Sequence, residues 1–256
     1  MVALAGALLL ASSAPAGSVT SPPTKKKGVL TVAIELGDPG FSQGTLARPR
    51  GFSADVARAV AKRMRLKIRF IGYPFARLFV PGPKPYDAAF EFATILPGRK
   101  RWVDFSTPEL SAHLGVLVAK DITGKMTLAR LRTLQVCAKE VTTGDIYVHN
   151  VLKPSGLILE YPTVGAALNA LSKSICDAFV FDLPALIAAK QQAPTRYGAV
   201  AGRVGSIQRY GVVIPKGSKL LPAVNKEIKA LRHNGTLRRV AIKNFGQAEL
   251  SAPPIH

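Results

Sequence analysis

Apolar positions along the chain switch between two periods, and the switching predicts alternating strands and helices. Val29–Glu35 has a strand pattern, and Pro39 with Gly37, Gly40 and Gly44 then predicts a loop. From Gly51 to Met64, Val56, Val60 and Met64 recur every four positions, which gives one apolar helical face. Ser53 is a candidate cap, Asp55 falls in the first turn, and Lys62 and Arg63 fall in the last, an order that suits the helix dipole. Leu66–Phe70 alternates with period two, as a strand does. Strand, helix, strand implies a parallel pair joined by a crossover.

A proline-rich excursion runs from Pro74 to Pro85, and Tyr86–Phe92 and Leu114–Val118 predict further strands. A second series follows, with strands over 134–138, 157–161 and 176–181 and helices over 143–152, 164–171 and 183–192. Tyr210–Ile214 is a late strand. The helix predicted over Ser218–Asn234 lines Leu220, Val224, Ile228 and Leu231 on one face, with Ser218 and Gly235 as candidate caps. A short helix ends near Phe245–Gly246. The fold class is therefore α/β: two units in series and a return segment.

The N-terminus changes this picture in one respect. Met1–Leu10 is apolar and is followed by small residues through Gly17. The run is too short to span a bilayer and fits the apolar core of a secretory signal, cut after Ala14-Pro15-Ala16. It lacks the usual positive start, and a buried N-terminal helix is the alternative. Residues 17–27, rich in Ser, Thr, Pro and Lys, read as a flexible leader. No later stretch has the length and apolarity of a transmembrane helix, so a soluble, exported chain is expected.

Charge excludes less than its size suggests. Lys and Arg number 35 against 15 Asp and Glu, a formal +20. The excess is spread along the chain, and its runs, Lys25–Lys27 and Arg99–Arg101, are not interleaved with aromatic residues. It reads as a solvated basic surface, not a nucleic-acid site. Cys137 and Cys176 permit one disulfide or two separate buried thiols. There is no phosphate-binding loop, dinucleotide fingerprint or nucleophile elbow. The histidines at 113, 149, 233 and 256 are scattered, so neither a metal nor a cofactor is expected.

Several blocks occur in a telling order. They are Gly51-Phe52, Asp55-Val56 and Val60-Ala61; Tyr86–Pro108, containing Thr94, Arg99 and Val103-Asp-Phe-Ser106; and Val141-Thr-Thr-Gly144. Cys176–Asp182, Tyr210–Gly217 and Asn234–Leu237 with Phe245-Gly246 complete the set. Over about residues 28–246 they resemble the family-3 bacterial extracellular solute-binding proteins, the periplasmic amino-acid-binding components of ABC transporters. Departures are Ser53 and Ala54 in place of an acidic residue, Val141 in place of glycine, and Glu109 or Leu110 in place of an aromatic.

The resemblance implies a type II, two-lobed periplasmic-binding-protein fold with two hinge crossovers. Lobe 1 would take 28–117 with the return segment 212–250, lobe 2 would take 118–211, and the hinges would be Val116–Lys120 and Gln208–Gly211. Arg99 matches the arginine that binds the ligand carboxylate, and a guanidinium offers two parallel donors for it. Thr94 would share that carboxylate. Asp182 would accept from the ligand ammonium, or else cap the helix that begins at Leu183-Pro184. Thr142 and Thr143 would bind an anion at a strand-to-helix turn, or simply cap. Glu35, Asp38, Glu91 and Phe92 fall at the first-lobe pocket. Asp38 replaces an aromatic, Glu91 replaces a small hydroxyl residue, and Phe92 would restore an apolar wall. The extra carboxylates would favour a ligand with added positive charge, unless Glu91 pairs with Arg99 or Asp38 lies in a solvated loop.

In the family's strand order, Cys137 and Cys176 are on neighbouring strands, so a bridge between them is implied. The implied protein is a monomeric, periplasmic or otherwise secreted binder of an amino-acid-like ligand, partnered by an ABC permease. Two alternatives are a periplasmic dehydratase of the cyclohexadienyl type on the same fold, with Glu91 or Glu140 as general acid, and a sensory module without a ligand.

Overall fold

The computed structural model describes residues 22–247 and 252–256; the apolar run 1–16 and the start of the leader lie outside them. Residues 22–27 are not a free leader, because the Lys25 N–H donates to Asp87 Oδ1 at 2.7 Å. In chain order the elements are β1 (Val29–Ile34), β2 (Gln43–Thr45), β3 (Arg48–Arg50), α1 (Phe52–Arg63), β4 (Lys67–Gly72) and β5 (Ala88–Thr94). There follow β6 (Val103–Phe105), β7 (Leu110–Val118), α2 (Leu128–Leu131), β8 (Val136–Lys139), α3 (Thr143–Tyr147) and β9 (Ile158–Tyr161). The chain continues with α4 (Val164–Ser172), β10 (Ala178–Asp182), α5 (Leu183–Gln192), β11 (Val200–Pro215), α6 (Leu221–His233) and α7 (Thr236–Phe245). Short 3-10 turns at Phe75–Phe79 and Arg99–Arg101 punctuate the loops.

The main sheet runs β4-β1-β5-β11-β7-β10-β8-β9, with β6 also on β11; β2 and β3 form a separate hairpin. β1 is parallel to both β4 and β5, and β8 is parallel to both β9 and β10. These are the two α/β units read from the sequence. Two long strands, β7 and β11, antiparallel to each other, join them. Gln208–Gly211 lies where β11 passes from β7 to β5. The other hinge expectation needs correction. Leu114–Val118 pair with β10 as well as lying beside β11, whereas Leu110–Ala112 pair with β11 alone, so the passage on β7 lies near residues 112–114. Ladder pairing, invisible in local periodicity, sets that position.

The apolar faces read from the sequence are buried. Val56 and Val60 of α1, and Met64 at its C-cap, share one core with Val224, Ile228 and Leu231 of α6. Burying each such side chain contributes about 1.5–3 kcal/mol. Two cap assignments change. Ser53 does not cap α1, which starts behind Gly51 at φ 107° with no side-chain cap bond. A Cβ on Gly51 would stand 2.4 Å from the Phe41 carbonyl oxygen, so glycine is required there. α6 starts at Leu221 with proline in its first turn, and Ser218 Oγ accepts only from the Leu220 N–H, at 3.3 Å. The helix predicted over 143–152 is α-helical to Tyr147 and widens into a π-turn over Val148–Leu152. After the return helices, residues 252–256 dock on the second unit, where the Ile255 N–H donates to the Arg203 carbonyl at 3.0 Å.

Candidate functional site

The carboxyl ends of β5, β8 and β10 converge where the two units meet, and the side chains expected to bind ligand converge with them. Thr94, Arg99, Thr142, Thr143, Asp182 and Phe92 enclose a cavity of about 10 Å³ together with Lys139, Phe75 and Phe181. That volume suits about one water molecule, so the cleft is closed around it.

Arg99 comes from the 3-10 turn after β5 and is buried. Its guanidinium lies 4.4 Å from the centre of the Phe79 ring and 5.2 Å from that of Phe75. It donates to the Thr94 carbonyl at 3.1 Å and, across the cleft, to the Val141 carbonyl at 2.8 Å. Burial lowers its pKa to about 10, with Asp182 and Tyr210 working the other way, so it stays a cation at neutral pH. Glu91 does not pair with it.

Asp182 ends β10 and stands at the N-cap of α5, yet its side chain makes no cap bond. Instead Oδ1 accepts from the Tyr210 hydroxyl. Burial raises its pKa to about 6; Tyr210, Arg99 and Lys139 restrain the shift, and Asp38 adds to it. Thr142 is a true cap, accepting from the Asp145 N–H at 3.2 Å and donating to the Lys139 carbonyl at 2.7 Å. Thr143 and Thr94 both reach Gln208 Oε1, each at 2.7 Å. Gln208 on β11 therefore ties a first-unit hydroxyl to a second-unit one.

Glu35, Asp38 and Glu91 stand apart from that cavity, around Lys139. The Lys139 ammonium pairs with Glu35 Oε2 and lies 4.0 Å from Asp38 Oδ2. Asp38 is 2% exposed, so it is not in a solvated loop. Burial raises its pKa to about 6 despite Lys139. Glu91 accepts from the Glu35 N–H through Oε1, and among the described residues Oε2 has no hydrogen-bond partner. Burial, then Glu35 and Asp38, holds Glu91 well above the usual carboxylate range. Phe92, at φ 39°, is pinned by stacking on Phe41 at 3.9 Å between ring centres.

Sequence reading missed Lys139, Phe75, Gln208 and Tyr210. Lys139 alone carried a signal: a lysine closing the apolar run Val136-Cys-Ala, two residues before the Val141-Thr-Thr turn. Cys137 and Cys176 form a disulfide with Cα atoms 5.8 Å apart. Outside the cleft, Asp145, His149 and Glu160 bring one ligand atom each within 4.8 Å, at a largely exposed spot.

Fold and cleft together define a two-lobed binding protein of the type II periplasmic class, its cleft closed between the lobes. The family model of the bacterial extracellular solute-binding proteins, family 3, matches residues 30–247, and the chain belongs to that family. Two relatives are from Escherichia coli strain K12. The L-cystine-binding protein TcyJ is 28% identical over 96% of this chain and 92% of its own length. The ABC transporter arginine-binding protein 1 is 27% identical over 77% of this chain and 82% of its own length. Among solved structures, an ancestral arginine-binding protein bound to glutamine superposes with a TM-score of 0.78. It is 27% identical, over 87% of this chain and all of the other.

Proposed function

We propose that this protein captures an amino acid, or a similar small polar molecule, between its lobes and delivers it to the permease of an ABC transporter. The observation that carries the reading is Arg99 from one unit and Asp182 from the other lining one closed cavity. A guanidinium is matched to a carboxylate and a carboxylate to an ammonium, the two charged groups of an α-amino acid. Thr94 and the Thr142-Thr143 turn add neutral donors beside the cation. The family's extracellular character supports export through the apolar run 1–16, followed by work as a periplasmic or secreted monomer. The lobes divide near residues 112–114 and 208–211, and closure over ligand supplies the form that a permease recognises.

A thermal-shift screen against amino acids, polyamines and small carboxylates tests the reading. At least one α-amino acid raises the melting temperature, because a ligand that prefers the folded state stabilises it, and Arg99→Ala abolishes the shift. If none does so, the reading falls. Recovery of the ligand unchanged after long incubation separates a binder from a dehydratase. Glu140, one acid such an enzyme would use, is exposed and outside the cavity lining.

A further inference from the structure

The acidic corner behind the cavity holds a cation belonging to the protein. Lys139 ends β8 in the second unit, and its side chain is 3% exposed. Every group that binds its ammonium comes from the first unit. Those groups are Glu35, in direct contact, Asp38 at 4.0 Å, and the Phe75 ring, whose centre is 5.2 Å away. Glu91 stands behind Glu35, held by the Glu35 N–H. Glu35, Asp38 and Glu91 are thus the charged or titratable groups around Lys139, with Asp182 further off and Arg99 and Tyr210 beside Asp182.

We infer that Lys139 sets ligand specificity: its ammonium fills the place among Glu35, Asp38 and Glu91 that a basic ligand side chain would take. The cleft therefore selects small α-amino acids with uncharged side chains over arginine and lysine. This inference rests on the amino-acid reading above and narrows it. It also reverses the expectation that surplus carboxylates favour a cationic ligand.

Lys139 already supplies a positive charge to this corner. Arg99 and Asp182 are committed to the ligand's own carboxylate and ammonium, so its side chain must extend past Lys139, Phe92 and Phe181. A second cation there would meet Lys139 at close range in a dry site, where like charges repel strongly. Glu35 and Asp38 already face the Lys139 ammonium. Glu35 accepts from both Lys139 and the Phe75 N–H, the latter at 3.1 Å. Burial holds Glu91 well above the usual carboxylate range, and Asp38 Oδ2, 4.0 Å from the Lys139 ammonium, has no hydrogen-bond partner among the described residues. An acidic side chain would gain Lys139 but meet the same three carboxyl groups. The phenyl walls suit a short or apolar side chain.

Isothermal titration of the disulfide-bonded protein with alanine, serine, glutamine, glutamate, arginine and lysine provides the test, on the wild type and on Lys139→Ala. Lys139→Met, which keeps the apolar stem, serves if the alanine variant fails to fold. The wild type is expected to bind a neutral amino acid about 100-fold or more tighter than arginine or lysine. Removing the ammonium frees Glu35 and Asp38, and should narrow that ratio about tenfold or more by a gain for the basic ligands. A wild type that prefers arginine, lysine or glutamate overturns the inference alone, as does an unchanged ratio in a folded variant. A wild type that binds no amino acid overturns the amino-acid reading and this inference together.

Discussion

Arg99 and Asp182 illustrate how surroundings fit single side chains to a task. Two aromatic rings hold the guanidinium and two backbone carbonyls orient it, so little rotamer entropy remains to be lost when a carboxylate docks. Asp182 is tuned the opposite way: burial makes it a weak acid of pKa about 6. Its ionised form is the one that meets a ligand ammonium with an opposite charge and a strong, charge-assisted hydrogen bond. Affinity should therefore be flat above pH 7 and fall about tenfold per unit below pH 6 as the carboxylate gains a proton. Titration calorimetry at pH 5, 6, 7 and 8 reads this directly. Asp182→Asn should bind weakly at every pH and lose the dependence; a variant that keeps the wild-type profile would remove Asp182 from the site.

At the scale of elements, the turn from β8 to α3 concentrates several devices. Gly144 lies so close to β10 that a Cβ would stand 2.6 Å from the Val180 carbonyl oxygen. The neighbouring threonines can therefore approach the cavity only because this residue is glycine. The Cys137–Cys176 bridge fastens the same strand, spanning 39 positions in sequence. Both cysteines are buried, at 0% and 1% exposure, so the pair also packs as core. Replacing both with alanine should cost about 2–4 kcal/mol, chiefly by freeing the unfolded chain. Urea denaturation under non-reducing conditions measures it, and an unchanged midpoint would show that the bridge adds no stability.

At the scale of the whole molecule, β7 and β11 carry the chain between units, and a buried acid beside them makes stability depend on pH. Glu109 precedes β7 and is buried; among the described residues its Oε2 has no hydrogen-bond partner. Burial raises its pKa from 4.5 to about 8. The folded state keeps that proton where the unfolded chain has lost it. The stability Glu109 contributes is therefore fully present below pH 4.5 and is lost as pH rises toward 8. Glutamine imitates the protonated form at every pH. Glu109→Gln should match the wild type at pH 4.5 and gain over it by at most about 1.4 kcal/mol per unit up to pH 8, then level off. Denaturation midpoints across that range decide it, and parallel curves would refute it.

The sequence by itself determined the alternation of strands and helices, the apolar faces of α1 and α6, the place of Asp182 at the end of an apolar strand, and the block that carries Thr94 and Arg99. These depend on local period and on order along the chain, which a single sequence carries. The tertiary structure decided what those residues meet. The course of β11 from Val200 was hidden by Gly202, Gly205 and a run of polar residues, because its pairing is with strands about ninety positions away. The place of Lys139 at the end of an apolar run was legible, but not its partners, in a chain of net charge +20. Only the juxtaposition of two distant units gave it three carboxyl neighbours, and burial, a property of the packed whole, then raised the pKa values of Asp38 and Glu91.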